Sequence, residues 1–179
     1  MKIVAISVGR PREVRWKGRS VLTSIFKAPV EGPVRATRTN LEGDEQSDLE
    51  VHGGEDKAVY AYPAEHYAYW KDQLPGIDLP WGAFGENLTV EGLLEHEVRT
   101  GDRLRAGSVE FVVTDPRMPC YKLGLRFDDP YMVKRFHASG RTGFYLSVAQ
   151  QGEIRAGDAI ALLARDARAP SIADRVASY

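Results

Sequence analysis

One cysteine occurs in 179 residues, so no internal disulfide can form and the chain is not a small secreted domain stapled by sulfur. Histidine is scarce as well. The four, at 52, 66, 96 and 137, lack the paired spacing of a zinc site, and one thiol cannot build a cysteine-rich one. An excess of either charge is also missing: 24 Lys plus Arg stand against 25 Asp plus Glu, for a net charge of -1. That balance supplies no global field for nucleic acid or an anionic membrane, and neither is expected as a partner. No stretch approaches the ~18 consecutive apolar residues of a membrane-spanning helix, and the N-terminus has no small-residue cleavage pattern. These absences point to a soluble, cytoplasmic protein. Its 43% hydrophobic content suffices for one sizeable core, and the length favours a single domain.

What is present reads mainly as sheet. Lys2 to Val8 is β-rich, apolar at 3, 4, 6 and 8, and stopped by Gly9-Arg10-Pro11, as a covered strand should be. Short runs at Pro33 to Thr37 and Gln46 to His52 are punctuated by glycines at 32, 43, 53 and 54. Val98-Arg99-Thr100-Gly101-Asp102-Arg103-Leu104 is echoed by Ile154-Arg155-Ala156-Gly157-Asp158-Ala159-Ile160. Each Gly-Asp is a tight-turn signal feeding a strand, and the runs at 108–114 and 159–164 have strand composition. Two such turns fit one barrel better than stacked repeats. The spacing predicts one helix opening at Pro63 and running to Leu74, with Tyr67, Trp70 and Leu74 inward, and another over 130–138, N-capped by Asp128 or Asp129 and ended before Gly140. Ser171-Ile172-Ala173-Asp174 has the form of a capping box opening a short tail helix.

Two constellations carry chemistry. Cys120 stands in Asp115-Pro116-Arg117-Met118-Pro119-Cys120-Tyr121-Lys122, just after a strand. Arg117 and Lys122 bring positive charge near the sulfur in sequence, which favours the thiolate required of a nucleophile or a soft-metal ligand. The alternative is a half-buried thiol in a proline-rich loop. In the second constellation an extended Gln46 to His52 puts Gln46, Asp48, Glu50 and His52 on one face. That face is either solvated or lines a site. His52 leads into Gly53-Gly54, whose backbone amides can approach an anion, with Lys57 beyond to neutralise it. Lys27, Asn87 and Arg141 each lie beside Gly, Pro or aromatics and could add donors for a phosphate-bearing ligand.

Taken in order, Phe26-Lys27-Ala28-Pro29-Val30, Gly43-Asp44-Glu45-Gln46-Ser47-Asp48, Val51-His52-Gly53-Gly54 with Lys57-Ala58-Val59-Tyr60, Phe84-Gly85-Glu86-Asn87-Leu88 and Arg117-Met118-Pro119-Cys120-Tyr121-Lys122-Leu123 resemble the MOSC domain family, especially its YiiM-like branch. The resemblance spans nearly the whole chain. It implies a mainly β fold, a distorted and mostly antiparallel β-barrel with peripheral helices, over residues 1–165. Residues 166–179 are then a linker and the start of a shortened form of the three-helix region that usually follows in that branch. It further implies molybdenum cofactor (molybdopterin) in a cleft, with the Cys120 thiolate as metal ligand. Lys27, Arg117 and Lys122 would anchor the anionic cofactor, and Gln46, Asp48 and His52 would line or support the pocket. The implied reaction is reduction of N-hydroxylated compounds, such as hydroxylaminopurine-type bases or amidoximes, with electrons from a partner reductase and a homodimer as a further possibility.

Two other functions fit the residues. A carrier that holds molybdenum cofactor, or a persulfide, on Cys120 needs the thiol but no substrate cavity. A hydrolase built on Cys120 and His52 would act without metal and fail when His52 is removed.

Overall fold

The computed structural model describes residues 1–46 and 53–179. The N-terminal strand β1 (Lys2–Val8) forms as its pattern predicts, with Ile3, Ala5 and Ile6 buried. No sequence expectation covers the next unit, a hairpin of β2 (Arg12–Trp16) and β3 (Arg19–Thr23) that makes its own two-stranded sheet. Its connection, Lys17-Gly18, has φ values of 48° and 77°, the left-handed pair that a two-residue hairpin turn requires. Next come β4 (Ala28–Pro29), β5 (Val34–Ala36), β6 (Val59–Pro63), β7 (Leu88–Glu91), β8 (Arg103–Ala106) and β9 (Val109–Pro116). β10 (Phe144–Gln150), β11 (Gly152–Ile154) and β12 (Ile160–Ala164) complete the strands among the described residues.

The main sheet has eight strands in the order β12-β8-β9-β10-β6-β7-β1-β4, and only β6 and β7 pair in parallel. Register shifts interrupt the β1–β7, β9–β10 and β8–β12 ladders, so the sheet is distorted as well as mixed. It does not close as one continuous ladder. The gap between β1 and β12 is spanned by a single bridge, Lys2 to Ala159, with backbone bonds from Ile3 N to Asp158 O (2.9 Å) and Gly157 N to Ile3 O (2.8 Å). The fold is therefore mainly β and mostly antiparallel, as expected, with a barrel-like curl.

The sequence echo corresponds to two equivalent turns. Gly101 and Gly157 have φ of 87° and 92°, while Asp102 N and Asp158 N donate to Arg99 O and Arg155 O three residues back. Each aspartate Oδ2 accepts from that same arginine's N at 2.9 Å. The turns launch β8 and β12, which pair with one another.

Strand alternation separates two cores. Val59 and Ala61 of β6, with Phe144, Leu146 and Val148 of β10, pack into the aliphatic interior of the curl. Tyr60 and Tyr62 point the other way, into an aromatic cluster with Tyr67, Trp70, Phe84, Phe127 and Phe136. Trp70 and Phe136 stack at 5.5 Å, and Trp70 Nε1 donates to Tyr62 Oη at 2.6 Å. The outer face of β6 and β10 is thus covered by helices over part of its length.

Those helices differ from the sequence expectation in informative ways. Helix α1 covers His66–Gln73, and Pro63 ends β6 instead of opening the helix, because Pro63 is held in register with Val90 and Ala64 N bonds Val90 O. The predicted inward stripe of Tyr67, Trp70 and Leu74 is buried. Helix α2 (Tyr121–Phe127), unmarked in sequence, follows Cys120 directly. Its Gly124 weakens the helical signal, but a Cβ there would lie 2.9 Å from Asp129 O and 3.6 Å from Trp16, so the position has no room for one. Helix α3 (Met132–Ala138) has Tyr131 as its N-cap. Asp128 instead closes α2 in the left-handed conformation, and Asp129 caps the turn at Tyr131 N. Gly140 follows α3 with φ 66°. In the tail, α4 (Ile172–Ala177) opens with the expected capping box, and its Ile172 and Val176 join the aliphatic core.

Candidate functional site

A cleft lies where the outer faces of β6 and β10 meet the 23–27 and 44–46 segments and the loop after β9. Tyr60 and Tyr145 enter it by the same alternation that puts Ala61 and Phe144 in the aliphatic core. Arg117 and Cys120 enter from the loop between β9 and α2, where Arg117 N donates to Gly143 O at 3.2 Å. Cys120 is partly exposed, with extended backbone at the N-cap of α2 and its carbonyl accepting from Leu123 N at 2.9 Å. The thiol belongs to the cleft wall and is not sealed in apolar packing.

Arg117 brings a buried charge to the cleft wall. It is buried, its Cζ lies 5.3 Å from the Tyr60 ring centre, and its Nη1 has no hydrogen-bond partner among the described residues. Burial alone would depress the guanidinium, but the phenols of Tyr60 and Tyr145 and the Cys120 sulfur outweigh it, and its pKa is raised. The reciprocal effect acts on the phenols. Burial pushes both Tyr60 and Tyr145 upward while Arg117 opposes it, so both stay protonated at neutral pH. Tyr60 Oη donates to Thr142 O at 2.8 Å.

Of the residues singled out in sequence, Lys27, Gln46, Gly53, Lys57, Asn87, Arg117, Cys120 and Lys122 line this one cleft. They do not all face a ligand in the same way. Lys122 is buried, and Lys57 Nζ lies 5.9 Å from the Tyr145 ring centre. Lys27 is committed to the fold, its Nζ held by Asp44 at 2.6 and 2.5 Å. Burial lowers the lysine's pKa and Asp44 opposes that shift. Asn87 braces the same corner: its Oδ1 accepts from Tyr60 N, and its Nδ2 donates to Ser7 O and to Asp44 Oδ2. Gln46 Nε2 reaches Thr39 O and Lys57 O at 3.3 and 3.4 Å.

Two residues are not among those lining the cleft. Arg141 stacks on Tyr69 at 4.0 Å and donates to Ser139 O, on the α1 side of the molecule. Gly54 caps the short 3-10 turn at Glu55–Lys57, beside the lining Gly53. Asp48 and His52 lie outside the described residues. Sequence reasoning missed Asp44, Tyr60 and Tyr145. The signal for Tyr60 was available in Val59-Tyr60-Ala61-Tyr62, where small and aromatic residues alternate with the strand period. Asp44 sat unselected inside the quoted Gly-Asp-Glu-Gln motif.

Among the described residues no helix is long and apolar enough to cross a membrane. Residues 48–161 match the MOSC domain family. The chain is 41% identical over 170 residues to YflK of Bacillus subtilis, covering 95% of this chain and 76% of that protein. It is 38% identical over 151 residues to a Gibberella moniliformis protein named Reductase, covering 83% of this chain but 27% of that protein. The crystal structure of YiiM from Geobacillus stearothermophilus superposes with a TM-score of 0.80 at 38% identity, covering 98% of this chain and 81% of that one. By the match to the family and by fold, the chain belongs to the MOSC domain family, in company with YiiM.

Proposed function

We propose that the chain is an oxidoreductase that binds molybdenum cofactor in this cleft, with the Cys120 thiolate as a metal ligand, and reduces N-hydroxylated small molecules. The observation that carries the reading is that the one cysteine shares its cleft with a buried arginine whose Nη1 lacks a hydrogen-bond partner among the described residues. Among those residues no group of three or more His, Cys, Asp or Glu could hold a bare metal ion. A metal here would bring most of its own ligands, as a dithiolene-bearing pterin does, and would need one soft donor and counter-charge from the protein. Those requirements fit Cys120, Arg117, Lys122 and Lys57.

When bound, the cofactor supplies two-electron chemistry that no side chain of the cleft possesses. The chain's own groups bind and orient. Arg117 and Lys122 offset the ligand's negative charge, and Gly53 lets backbone approach it closely. Gln46 supports that side of the pocket. Tyr145, held protonated beside Arg117, offers an O–H from which a proton can pass to a departing oxygen. Overall, two electrons from a partner reductase and two protons turn an N-hydroxy group into N–H and water. The fungal relative's name, Reductase, supports this direction.

Protein made in a cofactor-competent host, assayed with an amidoxime and reduced viologen, tests the proposal. Amidine formed in proportion to bound molybdenum is the expected result. Bound molybdenum without turnover would assign a carrier instead, and protein without molybdenum would contradict both.

A further inference from the structure

We infer that Arg12 and Arg126 form an anion subsite at the edge of the cleft, suited to a phosphate monoester. The site goes beyond the proposed function and rests on that reading only for which molecule carries the phosphate.

Two arginines share one aromatic ring. Arg12 Cζ lies 3.7 Å from the centre of Phe26, and Arg126 Cζ lies 5.2 Å from the same centre. Neither takes part in the ion pairs found among the described residues. Arg126 Nε is buried without a hydrogen-bond partner among the described residues. Burial first and the Arg12 charge second hold the Arg126 guanidinium below its ordinary pKa, with Tyr67, Glu86 and Asp78 offsetting this only in part. Gathering like charges and orphaning a buried donor both destabilise a fold. An anion contacting both guanidinium groups would relieve the repulsion between them.

The pair borders the functional cleft. Arg12 is the cross-strand partner of Thr23, and Arg126 follows Lys122 by four residues on the same face of α2. Phe26 sits between Ile25 and Lys27. Thr23, Ile25, Lys27 and Lys122 all line the cleft. A ligand lying across Cys120 could therefore extend an anionic end toward the two arginines. Two guanidinium forks offer more donors than one carboxylate can use, and they match the oxygens and double charge of a phosphate monoester.

Calorimetric titration of the cofactor-free protein with inorganic phosphate, at low ionic strength, tests the site. Saturable binding is expected, weakened roughly tenfold or more by Arg126→Met or Arg12→Met. Arg15→Met, an exposed position on the outward face of the same hairpin, should leave binding unchanged. In phosphate-free buffer Arg126→Met should melt no lower than the native protein, because it removes a repulsion and an orphan donor. Non-saturable binding, or equal affinity in all three variants, overturns the inference. Repeating the titration on cofactor-loaded protein separates the sources. Loss of phosphate binding on loading assigns the subsite to the pterin phosphate, whereas retained binding, with AMP preferred over adenosine, assigns it to a nucleotide substrate. Failure to load molybdenum would contradict the proposed function and leave the phosphate titration of the cofactor-free protein intact.

Discussion

Asp44 grips the Lys27 ammonium at 2.5 and 2.6 Å while also accepting from Gly9 N at 2.8 Å and Asn87 Nδ2 at 2.9 Å. Three separate segments are tied to one buried carboxylate at the wall of the cleft. The arrangement makes Lys27 a structural cation first.

Removing one partner of that buried pair leaves the other charge stranded. Asp44→Ala is expected to cost about 3–5 kcal/mol in denaturant unfolding. The double change Asp44→Asn with Lys27→Met should cost clearly less than Asp44→Ala, since no unpaired charge remains. Equal losses would show that the ion pair is not the source of the stabilisation.

Gly143 stands where β10 begins beside Tyr60. A Cβ there would lie 2.4 Å from Ala61 O and 2.9 Å from the Tyr60 and Tyr62 rings, at φ 65°, and its N donates to the buried Glu95 at 2.7 Å. Gly143→Ala should therefore destabilise by at least about 2 kcal/mol and shift the tyrosine environment of the cleft. Thermal unfolding and near-ultraviolet circular dichroism read the two effects.

How much of this was legible before the fold was known depended on whether the information was local. β1, the paired Gly-Asp turns, the buried stripe of α1 and the capping box of α4 all follow from short-range pattern. Pro63 misled because a proline suits both a helix start and a strand end, and its pairing with Val90 is a tertiary matter. The β2–β3 hairpin went unread because its turn uses Lys17 at positive φ in place of the usual Asn or Asp. Eight site residues meet in the cleft, yet sequence could not separate Lys27, neutralised by Asp44, from Arg117, whose Nη1 has no hydrogen-bond partner among the described residues.

The tail helix gives a pH prediction. Ser171 Oγ and N bond Asp174 Oδ2 at 2.7 and 3.0 Å, and these bonds, the side-chain one foremost, hold the carboxyl below its ordinary pKa. A carboxylate depressed in the folded state stabilises above the unfolded value of about 3.9 and loses that contribution as pH falls through the folded one. Ser171→Ala should cost about 1 kcal/mol near neutrality. The gap from the native protein should narrow below about pH 4, as Asp174 protonates and its own bonds are lost, and unfolding curves at several pH values would show it.

Substitution of Tyr145 tests whether its phenol serves in binding or in proton delivery. Tyr145→Phe keeps the ring beside Lys57 and Arg117 but removes the O–H, so molybdenum content should be unchanged while kcat for amidoxime reduction falls about 100-fold. A loss confined to metal content would instead make the phenol a binding group.

Molybdenum measured by plasma mass spectrometry in protein from a cofactor-competent host should be near stoichiometric for the native chain and close to background for Cys120→Ser, with the cofactor-free forms of both unfolding at the same temperature. Equal molybdenum in the two proteins would mean instead that the cleft holds its ligand without the thiolate.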